Sequence, residues 1–156
     1  MEIQLVFGPN GSGKSLYAET LAARTAAPLV YIATMIPQTE DNFSRIEKHR
    51  RQRKGKGFLT VEEPWDIDLL SISKESVVLL EDASNLLANG IFQHRQNASV
   101  CLQKIQTLAK NCQKLIIVSI TGLTPGEYDA ETNNYILQLD ELNQMLKSIA
   151  SECIQF

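Results

Sequence analysis

The chain has 156 residues, 44% of them hydrophobic and 21% charged, with a net charge of −3. That length suits one domain, residues 1–156, with a core that needs no disulfide or structural metal. The composition excludes a disordered or fibrous chain. The longest apolar runs are Val77–Leu80 and Leu115–Val118, far short of the roughly 20 residues that cross a bilayer.

Ile3–Phe7 reads as a short apolar strand that runs straight into a glycine-rich turn. Lys14 to about Arg24 follows as a helix, with Leu16, Ala18, Leu21 and Ala22 as its apolar positions. Leu29–Ala33 is a second strand, β-branched and aromatic, ending at Thr34. Asp41 to about Lys54 has a helical pattern, with Phe43, Ile46 and Arg50 on one stripe, and Lys54-Gly55-Lys56-Gly57 ends it. Phe58–Val61 is a third strand, stopped by Pro64, and a short helix is expected around Trp65–Leu70.

Val77–Leu80 has no polar alternation, which suits a strand covered on both faces of a parallel sheet. It closes on Glu81-Asp82. Cys101, Ile105, Leu108 and Cys112 recur at helical spacing within Ser99–Cys112. Leu115–Ile120 is a fifth strand, Thr121–Gly126 a loop, and Tyr135 through Ile149 a long last helix. Strands that alternate with helices predict a three-layer α/β domain with a mainly parallel central sheet and right-handed crossovers.

The start of the chain carries no basic and apolar export leader. A cytoplasmic protein without membrane insertion is expected. Three widely spaced cysteines, Cys101, Cys112 and Cys153, form no CxxC pair, so free thiols in a reducing compartment are expected. Charge is uneven. Arg45, Lys48, Arg50, Arg51, Arg53, Lys54 and Lys56 face only Glu47, so this stretch carries +6 and the remainder −9. One cationic patch on an acidic body points to an anionic small ligand rather than to a surface coated for nucleic acid. The near absence of aromatics around the patch points the same way.

The strongest motif is Gly8-Pro9-Asn10-Gly11-Ser12-Gly13-Lys14-Ser15. It matches G-x-x-x-x-G-K-[ST] in full, after a strand and opening a helix. The glycines permit the positive φ that turns backbone N–H groups inward. Those groups and the helix N-terminus cradle phosphates. Lys14 reaches the outer phosphates, and the Ser15 hydroxyl is a ligand for Mg²⁺. The fold is therefore expected to be P-loop NTPase-like. Glu81, at the end of a buried strand, is expected to hold Mg²⁺ or take a substrate proton, while Asp82 is equally suited to capping the next helix. Arg45 and His49 are four residues apart and share a helix face. Cations around His49 hold it neutral, and a neutral imidazole can attack phosphorus. A solvated basic helix with an incidental His is the plainer reading of that spacing, and His94 has no such company.

The blocks FGPNGSGKS, YIAT (Tyr31–Thr34) and RIEKH (Arg45–His49) stand in this order. Phe58, Thr60, Glu62 and Pro64, then LLED (Leu79–Asp82) and Asn89, follow. In these the chain resembles the bifunctional adenosylcobinamide kinase / adenosylcobinamide-phosphate guanylyltransferases of cobalamin nucleotide-loop assembly. The resemblance implies that ATP or GTP and Mg²⁺ bind at Lys14 and Ser15, and that His49 becomes guanylylated. It also implies that Glu62 and Glu81 lie near the active site, with Thr34 and Arg45 in the nucleotide-binding set. A corrinoid second substrate and a homo-oligomer, a trimer in the family, are implied as well. The resemblance runs from Ile3 to about Asn89 and returns weakly near the C-terminus. The family's Asn-Glu-bearing loop is replaced by a shorter Ser119–Pro125 stretch, and Asn133 and Ile136 stand where arginines would be. Most of the family's last strand is expected to be missing. A different P-loop phosphotransferase, or a relative with weakened catalysis, is the alternative that this altered third leaves open.

Overall fold

The computed structural model describes residues 2–156. It has six strands: β1 (Glu2–Gly8), β2 (Leu29–Ala33), β3 (Phe58–Glu62), β4 (Val77–Glu81), β5 (Lys114–Ile120) and β6 (Glu152–Gln155). Five α-helices connect them: α1 (Lys14–Ala23), α2 (Glu40–Arg53), α3 (Ala83–His94), α4 (Ala98–Lys110) and α5 (Ala130–Ile149). The strands form one sheet in the order β3-β2-β4-β5-β1-β6, and every pairing is parallel. The α/β, P-loop NTPase-like expectation is thus met, with an all-parallel sheet.

Alternate strand side chains reach opposite faces. Ile3, Leu5 and Phe7 of β1 enter one core with α3, α4 and α5. Val6 enters the other, where Ala18 and Ala22 of α1 lie against Leu79 and Val118. Small residues on α1 let that helix sit close to the sheet. Cys101 and Cys112 are buried free thiols on the α4 side, and Cys153 is exposed.

Three elements differ from the sequence expectation. The Trp65–Leu70 helix is only a 3-10 turn at Ile67–Leu69. A Glu63 carboxylate oxygen accepts the N–H groups of Trp65 and Asp66, both at 3.0 Å, and spends the first turn on a local cap. Helix α3 was not legible by periodicity, because Asn85, Asn89 and Gly90 interrupt its pattern. These residues have tertiary partners instead. The Asn89 amide donates to the carbonyls of Thr34 and Pro64, each at 2.8 Å. Gly90 lies against Trp65, where an added Cβ would come within 2.5 Å of the indole ring. Finally, a last strand is present. β6 pairs with β1 from Gln4↔Glu152 to Phe7↔Gln155, and the Phe156 N–H donates to the Phe7 carbonyl at 2.9 Å. Four residues carry too little alternation to be read as a strand, and it is the exposed edge of β1 that orders them.

In a parallel sheet all carboxyl ends face one way, and ligands bind there. Here those ends deliver Gly8, Ala33, Glu62 and Glu81 to one rim of the sheet.

Candidate active site

The glycine-rich loop leaves β1 at Gly8 and enters α1 at Lys14. Gly11 and Gly13 hold φ of 75° and 86°, and nothing lies within 4 Å of a Cβ at either position. Backbone conformation, not crowding, requires glycine there. Gly8 is different: an added Cβ would sit 2.7 Å from Cβ of Phe156. Lys14 is 6% exposed, and its Nζ donates to the Pro9 carbonyl at 3.3 Å. The ammonium thus lies folded over the loop.

Ser15 Oγ donates to Glu81 Oε1 at 2.5 Å, which joins the first turn of α1 to the end of β4. Burial and the neighbouring Asp82 carboxylate push the Glu81 carboxyl above the ordinary carboxylate range, against the pull of Ser15 and Lys14. Its second oxygen, Oε2, is buried without a partner. Asp82 has the other role open to it: Oδ1 accepts from the Asn85 N–H and the Ser84 hydroxyl, both at 2.7 Å, and caps α3.

Helix α2 begins at a Thr39 cap whose hydroxyl accepts from the Asn42 N–H at 3.1 Å. It carries Arg45 and His49 onto the wall of a cleft of about 1400 Å³ that the loop residues from Asn10 to Ser15 also line, with Glu62 and Glu81. The imidazole is half-buried, and its Nδ1 has no partner. Burial, then the positive charges of Arg53 and Arg45, hold its pKa below the usual imidazole value, while Asp82 opposes them. The cationic stretch therefore acts as expected, but desolvation is the larger cause.

Arg53 was only one charge in a run. In the fold it is 7% exposed, lies 3.7 Å over the Tyr31 ring and donates to Thr60 Oγ1 at 3.3 Å. Glu62 pairs with Arg50 at 2.8 Å, and both side chains remain exposed. Lys56, flanked by Gly55 and Gly57 at φ of 80° and 85°, turns inward to 3.6 Å from Glu19, a fully buried carboxylate on α1. Sequence reading passed over Glu19 and counted Lys56 only as one charge of the basic stretch.

Not every expected residue meets the cleft. Thr34 is fully buried. Its hydroxyl donates to the Asp82 carbonyl and accepts the Asp82 N–H, both at 2.9 Å, so it stitches β2 to the end of β4 instead of facing a ligand. Gly8 and Pro9 do not line the cleft either. His94 lies away from the cleft, stacked on Trp65 at 5.5 Å. Asn85 and Tyr31 line the cleft, although sequence reading had not singled them out.

Among the described residues, no group of three or more His, Cys, Asp or Glu is arranged to hold a metal by itself. That is normal for Mg²⁺, which keeps waters and shares phosphate oxygens with one or two protein ligands. The Ser15 hydroxyl and the partnerless Glu81 oxygen are hard donors of the kind Mg²⁺ takes. No helix among the described residues is long and apolar enough to cross a membrane.

No curated protein matches the chain. The family model for CobU, cobinamide kinase / cobinamide phosphate guanyltransferase, matches residues 4–156. The match spans the stretch after β5 and the short β6. With a phosphate cradle, a strand-end carboxylate and a basic helix around one cleft, the chain belongs to the cobinamide kinase / cobinamide phosphate guanyltransferase family, a family of transferases.

Proposed function

We propose that this protein performs both family reactions in the one cleft, as a step of cobalamin nucleotide-loop assembly, and that the second runs through a guanylylated His49. The observation that carries this reading is that the loop from Asn10 to Ser15 and His49 line a common cleft. In the first reaction the substrate hydroxyl attacks the terminal phosphorus of ATP or GTP, the bond from that phosphorus to the bridging oxygen breaks, and the nucleoside diphosphate leaves. Loop N–H groups and Lys14 hold the phosphates, and Glu81 accepts the proton. Mg²⁺, held by Ser15 and Glu81, would supply charge neutralisation at the phosphates.

In the second reaction the lone pair of His49 attacks the α-phosphorus of GTP. A P–N bond forms and the bond to pyrophosphate breaks. A phosphate oxygen of cobinamide phosphate then attacks the same phosphorus, the P–N bond breaks, and the imidazole returns to its neutral state. Splitting one displacement into two lowers each barrier, and Arg45 and Arg53 offset the negative charge that develops. The depressed pKa of His49 favours its role as nucleophile, because the lone pair stays available. Thr34, buried under the strand ends, belongs to the support of the site.

Incubation with α-labelled GTP and Mg²⁺ tests the reading. Label should survive denaturation, be lost in acid, and be absent from His49→Asn, which should still phosphorylate cobinamide. Label that persists in His49→Asn would move the nucleophile elsewhere.

A further inference from the structure

Helix α2 is almost wholly polar, and its two large apolar side chains are Phe43 and Ile46. Neither packs into a core. Phe43 is 60% exposed, and both line the cleft that holds His49. They stand six and three residues before it, so they form a stripe that leads along the helix to the imidazole. Met35, Ile36 and Pro37, which follow the end of β2, line the same cleft, as does Leu16 beside Ser15. None of these four belongs to either core. These side chains make up an apolar wall of the cleft that also holds the glycine-rich loop and His49.

The cleft also exceeds the range of roughly 300–1000 Å³ usual for small-molecule sites. Phosphates on the loop engage its N–H groups and Lys14, not these apolar side chains. The second substrate of the family is cobinamide or its phosphate, a broad flat macrocycle whose reacting group hangs on a side chain. In both reactions that group must come to the phosphates.

We propose that the wall made by Met35, Ile36, Pro37, Phe43 and Ile46 is the docking surface for the apolar face of the corrin ring, with Phe43 its principal contact. The inference rests on the reading that this cleft is the active site. A ring seated on the wall shares one cleft with the loop and with His49, so one docked position serves both steps. Exposed apolar side chains on a charged helix gain from covering by such a face, because the ring and the wall leave water together.

The test is equilibrium dialysis of cobinamide, read by its visible absorbance, against the full chain and against Phe43→Ser and Ile46→Ser. Both changes lie at partly or fully exposed helix positions, so folding should survive, and a thermal melt checks it. Phe43→Ser should weaken cobinamide binding by roughly tenfold or more, with unchanged labelling by α-labelled GTP and an unchanged sedimentation profile. Equal cobinamide binding by wild type and both variants would overturn the docking surface while leaving the active-site reading intact. A wild type that binds no cobinamide at all would sink that reading itself. Weaker GTP labelling with unchanged cobinamide binding would make the wall a nucleobase platform. A shifted sedimentation profile would make it a contact between copies of the chain. Either of these last two results overturns the proposal.

Discussion

At the scale of single residues, two groups that line the cleft are held away from their ordinary protonation. Glu81 is the first. Its folded pKa is raised, so the empty site retains the proton to higher pH than a free carboxylate would. A divalent cation takes only the charged form and expels the proton. Binding of Mg²⁺–nucleotide should therefore release protons and tighten as pH rises toward the shifted pKa. Calorimetry in buffers of different ionisation enthalpy should detect the release in wild type and none in Glu81→Gln. Equal release in both would remove Glu81 from the site. The second group is His49, whose pKa is lowered. Its unprotonated form, the one the proposed covalent step uses, should persist as pH falls through about 6.5, the ordinary imidazole value. The rate of covalent labelling from GTP should hold through that point and decline only below it. A decline centred above it would show that His49 is not desolvated in the working enzyme.

At the scale of elements, helix α2 has no apolar face in the core and needs another way to stay in place. The contacts that hold its C-terminal end are polar. Arg53 lies on Tyr31, and the Lys56 ammonium just beyond reaches the buried Glu19 of α1. Neither Glu19 oxygen has a hydrogen-bond partner, and burial raises the Glu19 pKa while Lys56 and Arg53 lower it. A carboxyl whose folded pKa is raised binds its proton more tightly folded than unfolded, so it costs stability as pH climbs above the unfolded value. Removing the opposing ammonium enlarges that cost. Lys56→Met should lose roughly 1–3 kcal/mol near pH 8 and progressively less toward pH 5. Urea titrations at the two pH values would show it. A loss that is independent of pH would mean that Lys56 contributes packing rather than charge.

At the scale of the whole molecule, the strand order decides which groups meet. β1 lies between β5 and β6, and β4 lies next to β2. The parallel arrangement brings the end of β1 and the end of β4 to the same rim, with β5 between them. Ser15 therefore meets Glu81 across 66 positions of sequence, and Thr34 meets Asp82 across 48. β6 covers the outer edge of the loop-bearing strand, and its following residue, Phe156, fills the space that Gly8 leaves open.

The phosphate loop was fully legible in the sequence because its chemistry is local: glycines at positive φ, a helix start, a lysine and a hydroxyl lie within eight consecutive residues. The buried strands were legible because parallel sheets bury both faces and leave unbroken apolar runs such as Val77–Leu80. The acid at the end of that run was visible too. Which of Glu81 and Asp82 faces the loop was decided only by the fold, through the cap that occupies Asp82 and the hydroxyl that meets Glu81. The same holds for Thr34, a polar residue at a strand end that local pattern cannot assign to a ligand or to a neighbouring strand. Helix α3 and strand β6 escaped notice because their residues answer to Trp65, Thr34 and the edge of β1 rather than to a period of their own. The stripe of Phe43 and Ile46 was visible as a stripe. That it faces an open cleft and not the core is a matter of where α2 lies, which is set by contacts distant in sequence from the stripe itself. Sequence by itself determined the local backbone chemistry and the burial pattern of this protein; tertiary structure alone determined which polar and apolar groups share one cleft, because proximity there follows strand order and not spacing along the chain.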